Sequence, residues 1–89
     1  MQAHLFIAGF VQGVGFRKFV QHTAKKNAVV GWVKNLPDGR VEALLQGSKE
    51  NTEKVIERCK KGSFVSSVED VVVIWENPTE TYVSFDIRK

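Results

Sequence analysis

Two stretches with apolar residues at helical spacing, Phe16–Ala24 and Thr52–Cys59, lie among runs in which apolar residues alternate. In chain order they read strand, helix, strand, strand, helix, strand, with one further strand at the end. That order predicts an α+β fold of the ferredoxin-like split β-α-β type, with two helices on one face of a mostly antiparallel five-stranded sheet. The turn Leu36-Pro37-Asp38-Gly39-Arg40 adds a third observation, because it makes the two central strands a hairpin.

In the first run, Leu5, Ile7 and Gly9 alternate with Phe6, Ala8 and Phe10, so the strand is expected to be covered on one face and partly on the other. Gln12–Gly15 is a loop. Phe16, Phe19, Val20, Thr23 and Ala24 then form the apolar stripe of a helix, with Lys18, Gln21, His22, Lys25 and Lys26 on its solvated side and Asn27 at its end. Ala28–Lys34 reads as a strand. In the turn, Pro37 presets φ, Asp38 can accept from the backbone ahead of it, and Gly39 accepts a positive φ. Val41–Gln46 returns as the partner strand. Ser48 is a fair N-cap for a second helix with stripe Thr52, Val55, Ile56 and Cys59, stopped by Gly62. Glu50 with Lys54, and Glu57 with Lys61, stand at the favourable i,i+4 spacing. Val68, Val71 and Val73 can share a face of the strand Val68–Trp75 only if it carries a bulge. Tyr82–Ile87 is the last strand, with Val83, Phe85 and Ile87 in phase.

A chain of 89 residues can bury about 60–65% of its unfolded surface, enough for one core, so residues 1–89 are expected to form a single domain. The net charge of +3 suits an anionic ligand but falls short of a strong nucleic-acid binder. A lone cysteine, Cys59, rules out an intrachain disulfide and a cysteine zinc site. Neither a secretory leader nor a membrane-length apolar stretch is visible, so a cytoplasmic protein is expected. A monomer is the simplest expectation.

The chemistry gathers around Ile7–Arg17. A strand that turns through Gly13 and Gly15 into a helix leaves backbone N–H groups unpaired at the positive end of a helix dipole, a natural anion site. Arg17 adds a planar fork of donors suited to a phosphate or carboxylate. A cation there opposes the dipole, at a penalty of ~0.3–1 kcal/mol, and a bound anion would relieve the conflict. Asn35 ends the strand that follows the first helix. A right-handed βαβ unit makes the first two strands parallel, which brings their C-terminal ends to one sheet edge. Asn35 is thereby expected beside the Gln12–Arg17 loop, although asparagine also suits the start of a turn.

Other chemistries find little support. His4 and His22 have no carboxylate at ligand-like spacing and are expected at the surface, and Cys59 is read as a core residue. No metal or cofactor is expected. Lys18 stands where a dinucleotide fingerprint needs its third glycine, and a P-loop would end in Gly-Lys-Ser/Thr. RNA-recognition modules of this topology stack bases on aromatics of the third strand, and Val41–Gln46 has none.

At these residues the chain closely resembles the acylphosphatase family. The first family signature is matched throughout Ile7–Arg17, including Gly9, Val11-Gln12-Gly13-Val14 and Phe16-Arg17. The second is matched by Gly31-Trp32-Val33-Lys34-Asn35, then Gly39, Val41 and Gly47. Gly62-Ser63 departs from the Gly-Pro often found there. The resemblance implies hydrolysis of a small-molecule acyl phosphate to carboxylate and inorganic phosphate, without cofactor, metal, nucleic acid or membrane. It implies that Arg17 and the loop N–H groups of Gly13, Val14, Gly15 and Phe16 hold the phosphate, and that Asn35 orients the attacking water. The alternative is a non-catalytic anion-binding or regulatory module on the same scaffold.

Overall fold

The computed structural model describes residues 1–89. Its elements are β1 (Gln2–Phe10), α1 (Phe16–Lys26), β2 (Val30–Asn35), β3 (Val41–Gln46), α2 (Lys49–Lys61), β4 (Ser67–Glu76) and β5 (Phe85–Arg88). The strands form one sheet in the order β4-β1-β3-β2-β5. Three pairings are antiparallel and the β2–β5 pairing is parallel. β1 and β2 flank β3 and run parallel to each other, as the split β-α-β arrangement requires. No helix is long and apolar enough to cross a membrane.

Both helices lie on one face. Ala3, Leu5 and Ile7 of β1, Val41, Ala43 and Leu45 of β3, and Val33 of β2 point into a core of 16 buried residues. Phe16, Val20 and Ala24 of α1, Val55, Ile56 and Cys59 of α2, and Val11, Val29 and Phe85 complete it, so both helical stripes are buried as their spacing predicted, except that Phe19 is only half-buried. Ser48 caps α2, accepting from the Asn51 N–H at 3.1 Å. Asp38 accepts from the Arg40 N–H at 3.0 Å and from its Nε at 2.8 Å, and these two bonds hold its carboxylate below the usual pKa range.

The bulge expected in the fourth strand is present. Ala8 pairs with Asp70 and Gly9 with Val68, so Glu69 is the unpaired extra residue. The kink lets Val68, Val71 and Val73 all pack against the core.

Several expectations need correction. The last strand begins at Phe85, not Tyr82, and Val83 is 94% exposed, because bonding to β2 starts only at the Ser84 carbonyl, which accepts from the Gly31 N–H at 2.9 Å. β2 begins at Val30 and extends to Asn35, after a reversal in which Ala28 takes φ 55°. Glu57 pairs with Lys60 at 3.6 Å rather than with Lys61, whereas Glu50 does pair with Lys54. Gln21 is not fully solvated, since its amide donates to the Phe85 carbonyl at 2.9 Å and ties α1 to β5. His4 is half-buried on the sheet's open face, with Glu42 at 2.5 Å and Glu76 at 3.6 Å from its ring nitrogens. Strand pairing brings these side chains together, and sequence separation hid the contact.

Gly31 is required by close approach. It adopts φ 138°, and a Cβ there would stand 1.9 Å from the Leu44 carbonyl oxygen. Gly31→Ala is therefore expected to destabilise the fold by about 3–5 kcal/mol, since strand separation and backbone strain add. Urea unfolding measures this, and a midpoint equal to wild type would contradict the close β2–β3 approach.

Candidate active site

The loop between β1 and α1 is built to leave its donors free. Val11 and Phe16, each 1% exposed, anchor its two ends in the core, and Val14 packs against the same cluster. Gly13 and Gly15 between these anchors take φ 76° and 75°, the left-handed region that glycine enters without strain. A Cβ on either would meet nothing within 4 Å, so it is the backbone conformation that calls for glycine there. The N–H groups of Gly13, Val14, Gly15 and Phe16 donate to no backbone or side-chain acceptor. Left-handed and right-handed residues in succession make a concave nest of donors, which suits an oxyanion.

The start of α1 adds to the positive potential. Gly15 is its N-cap with no side-chain bond, and the first turn holds no acidic residue. Arg17 stands in that turn, half-buried, and donates from Nη1 to the Arg88 carbonyl at 3.1 Å. No carboxylate lies within ion-pair distance of it, so its charge and the rest of its fork remain available.

Asn35 ends β2 opposite Val41. Its Oδ1 is buried and has no hydrogen-bond partner. A buried polar atom without a partner ordinarily costs about 1–3 kcal/mol, which marks a place where a ligand or water belongs. A cavity of about 220 Å³ joins the two halves of the site, lined by Gly13, Gly15, Arg17 and Asn35 among others. The parallel course of β1 and β2 thus brings the residues predicted for the site to one sheet edge.

Some contributors were missed in the sequence. Lys18 and Ile87 also line the cavity. The Arg88 carbonyl steadies Arg17, and Gln12 donates to the Leu36 and Arg40 carbonyls, each at 2.8 Å. Only the Gln12 position carried a signal, inside the first motif, and nothing in spacing named its partners.

A larger and more open groove of about 600 Å³ crosses the helices, but it is lined by three glutamates, Glu50, Glu53 and Glu57, against two cations, Lys54 and Arg58, and offers an anion no net positive charge. Cys59 is buried, and burial pushes its thiol up to about 12, which leaves it protonated and inert. No group of three or more His, Cys, Asp or Glu side chains is assembled anywhere for a metal ion.

The acylphosphatase family model matches residues 3–87. The chain belongs to the acylphosphatase family. An acylphosphatase of Chloroflexus aurantiacus is 47% identical over 79 residues, covering 89% of this chain and 86% of that protein. An acylphosphatase of Trichormus variabilis is 40% identical over 89 residues, 100% of this chain and 87% of its own. The crystal structure of acylphosphatase from Bacillus subtilis matches at a TM-score of 0.95 and 42% identity, over 99% of this chain and 98% of that one. The acylphosphatase fold is thus shared over its whole length, and the donor nest, the arginine and the orphaned amide oxygen lie within the matched region.

Proposed function

We propose that Arg17 and the N–H groups of Gly13–Phe16 hold the phosphate of an acyl phosphate while Asn35 orients the water that attacks it. The activity is that of an acylphosphatase, a hydrolase whose substrate is a small acyl phosphate and whose product is inorganic phosphate. The buried, unpartnered Asn35 Oδ1 is the observation that carries the role assignment. An amide oxygen so placed accepts a hydrogen bond from water and aims the water's lone pair at phosphorus. As the P–O bond to water forms, the P–O bond to the carboxylate breaks. The carboxylate leaves with the bonding pair, and the water's proton passes to a phosphate oxygen.

A carboxylate is a good leaving group, so acid assistance matters little. Phosphoryl transfer depends chiefly on positioning and charge stabilisation, and a nest, an arginine and an amide supply both. In this reading residues 1–89 act as one catalytic domain, a cytoplasmic monomer, with no metal, cofactor, nucleic acid or membrane taking part. The single core cluster supports the first of these.

The deciding experiment is hydrolysis of benzoyl phosphate by wild type, Arg17→Ala and Asn35→Ala. Inorganic phosphate is expected to inhibit competitively, because it fills the same nest, and EDTA is expected to leave the rate unchanged. Loss of activity in EDTA with recovery on adding a divalent metal would count against the metal-free route.

A further inference from the structure

The two halves of the site hang on different strands, and the sheet does not tie them together where it matters. The β1–β3 ladder ends at Ile7↔Val41, and Val41 in turn pairs with Asn35. Beyond Ile7, β1 pairs only with β4, through Ala8↔Asp70, Gly9↔Val68 and Phe10↔Ser67, and the bulge bends β4 there. The end of β1 and the donor nest that follows it therefore make no backbone hydrogen bond to β2 or β3, although the nest faces the cavity that Asn35 lines.

One side chain spans the gap. Gln12, immediately before Gly13, donates both hydrogens of its amide to the hairpin that carries Asn35. One goes to the carbonyl of Leu36, the residue directly after Asn35, and the other to the carbonyl of Arg40, each at 2.8 Å. The two acceptors stand at opposite sides of the hairpin's neck, so the pair of bonds sets tilt as well as distance.

Both carbonyls already have partners. The Arg40 carbonyl accepts from the Leu36 N–H at 2.8 Å, and the Leu36 carbonyl accepts from the Gly39 N–H at 3.2 Å. Removing Gln12 would orphan neither, so the hairpin does not need Gln12 in order to form. The Asn35 side chain, by contrast, makes no hydrogen bond to protein that would hold it in place. Its aim depends on where its backbone lies relative to the nest.

We infer that Gln12 is a positioning residue that sets the distance between the phosphate-holding nest and the water-orienting Asn35. The inference rests on the role proposed above for Asn35. Without the clamp, phosphate still binds, because the nest and Arg17 are intact, but the water no longer lies in line with the leaving carboxylate. Misplacement by about 1 Å is enough to slow such a reaction by about 10²-fold.

The test is benzoyl phosphate hydrolysis with Gln12→Met, which keeps the side chain's length and loses both donors, in the wild-type and Asn35→Ala backgrounds. In the wild-type background kcat is expected to fall by about 10–100-fold, while the inhibition constant for inorganic phosphate moves by less than about threefold. In the Asn35→Ala background the same change is expected to alter kcat by less than about twofold, because the residue it positions is gone. Gln12→Asn keeps the amide on a shorter stem that cannot reach both carbonyls, and an intermediate kcat is expected.

An unchanged kcat in Gln12→Met overturns the inference. So do equal losses in the two backgrounds, or a phosphate constant that weakens as much as kcat falls. If both Gln12 variants fail to fold, judged by thermal melting with and without phosphate, the residue is structural and the inference also falls. The Asn35→Ala arm separates the two levels: wild-type turnover there removes the role of Asn35, whereas slow turnover with additive Gln12 effects removes only the clamp.

Discussion

Arg17→Ala is expected to lower kcat for benzoyl phosphate by about a thousandfold or more, the scale on which an arginine stabilises a transferring phosphoryl group. The guanidinium stands in the first turn of α1 with no ion-pair partner and one bond, to the Arg88 carbonyl. That bond leaves most of its donors for the phosphate oxygens, where charge is greatest as the leaving group departs. Arg17→Lys is expected to fail nearly as badly. An ammonium keeps the charge but cannot bond the Arg88 carbonyl and two phosphate oxygens in one plane. Inorganic phosphate inhibition should weaken in both variants, and thermal unfolding of Arg17→Ala should change little, since removing a cation from a helix N-terminus relieves a local conflict. A fully active Arg17→Ala enzyme would falsify the assignment.

For Asn35→Ala a fall in kcat of roughly 10²–10³-fold is expected, with KM changed by less than about threefold. The pattern differs from that of Arg17 because Asn35 touches the water rather than the phosphate in this mechanism, so substrate binding is spared. Asn35→Asp adds a sharper arm. It retains an acceptor but sets a negative charge beside the phosphate, and both kcat and phosphate binding should suffer. A variant that loses substrate affinity while keeping kcat would place Asn35 among the phosphate-binding groups. The alanine variant is expected to be at least as stable as wild type, because it removes a buried oxygen that has no partner in the free protein.

Much of the fold was legible because local patterning and tertiary burial agree. The stripes Phe16–Ala24 and Thr52–Cys59 are the buried faces of α1 and α2. The clash among Val68, Val71 and Val73 forced a bulge, which the register shows at Glu69. Where a side chain answers to a distant strand, the reading failed. Val83 has the right phase for a strand but no neighbour to pair with, and Gln21 sits on the polar side of its helix yet reaches β5. His4 meets Glu42 only because β1 and β3 are paired.

The site divides in the same way. Gly13, Gly15 and Arg17 are close in sequence, so glycine torsions and a helix start suffice to predict an anion cradle from the sequence alone. Asn35 could be placed at the same edge by the handedness of the βαβ unit, a rule of topology, and the role proposed for it came from the family motif. Only the tertiary structure decided that its oxygen is buried without a partner, that Arg17 leans on the Arg88 carbonyl, and that Gln12 bridges to Leu36 and Arg40. Backbone torsions and helix dipoles are properties of neighbouring residues and can be read locally. A distance between groups on two strands that are not hydrogen-bonded to each other is set by the whole sheet, its bulge and its clamps, and no local pattern encodes it.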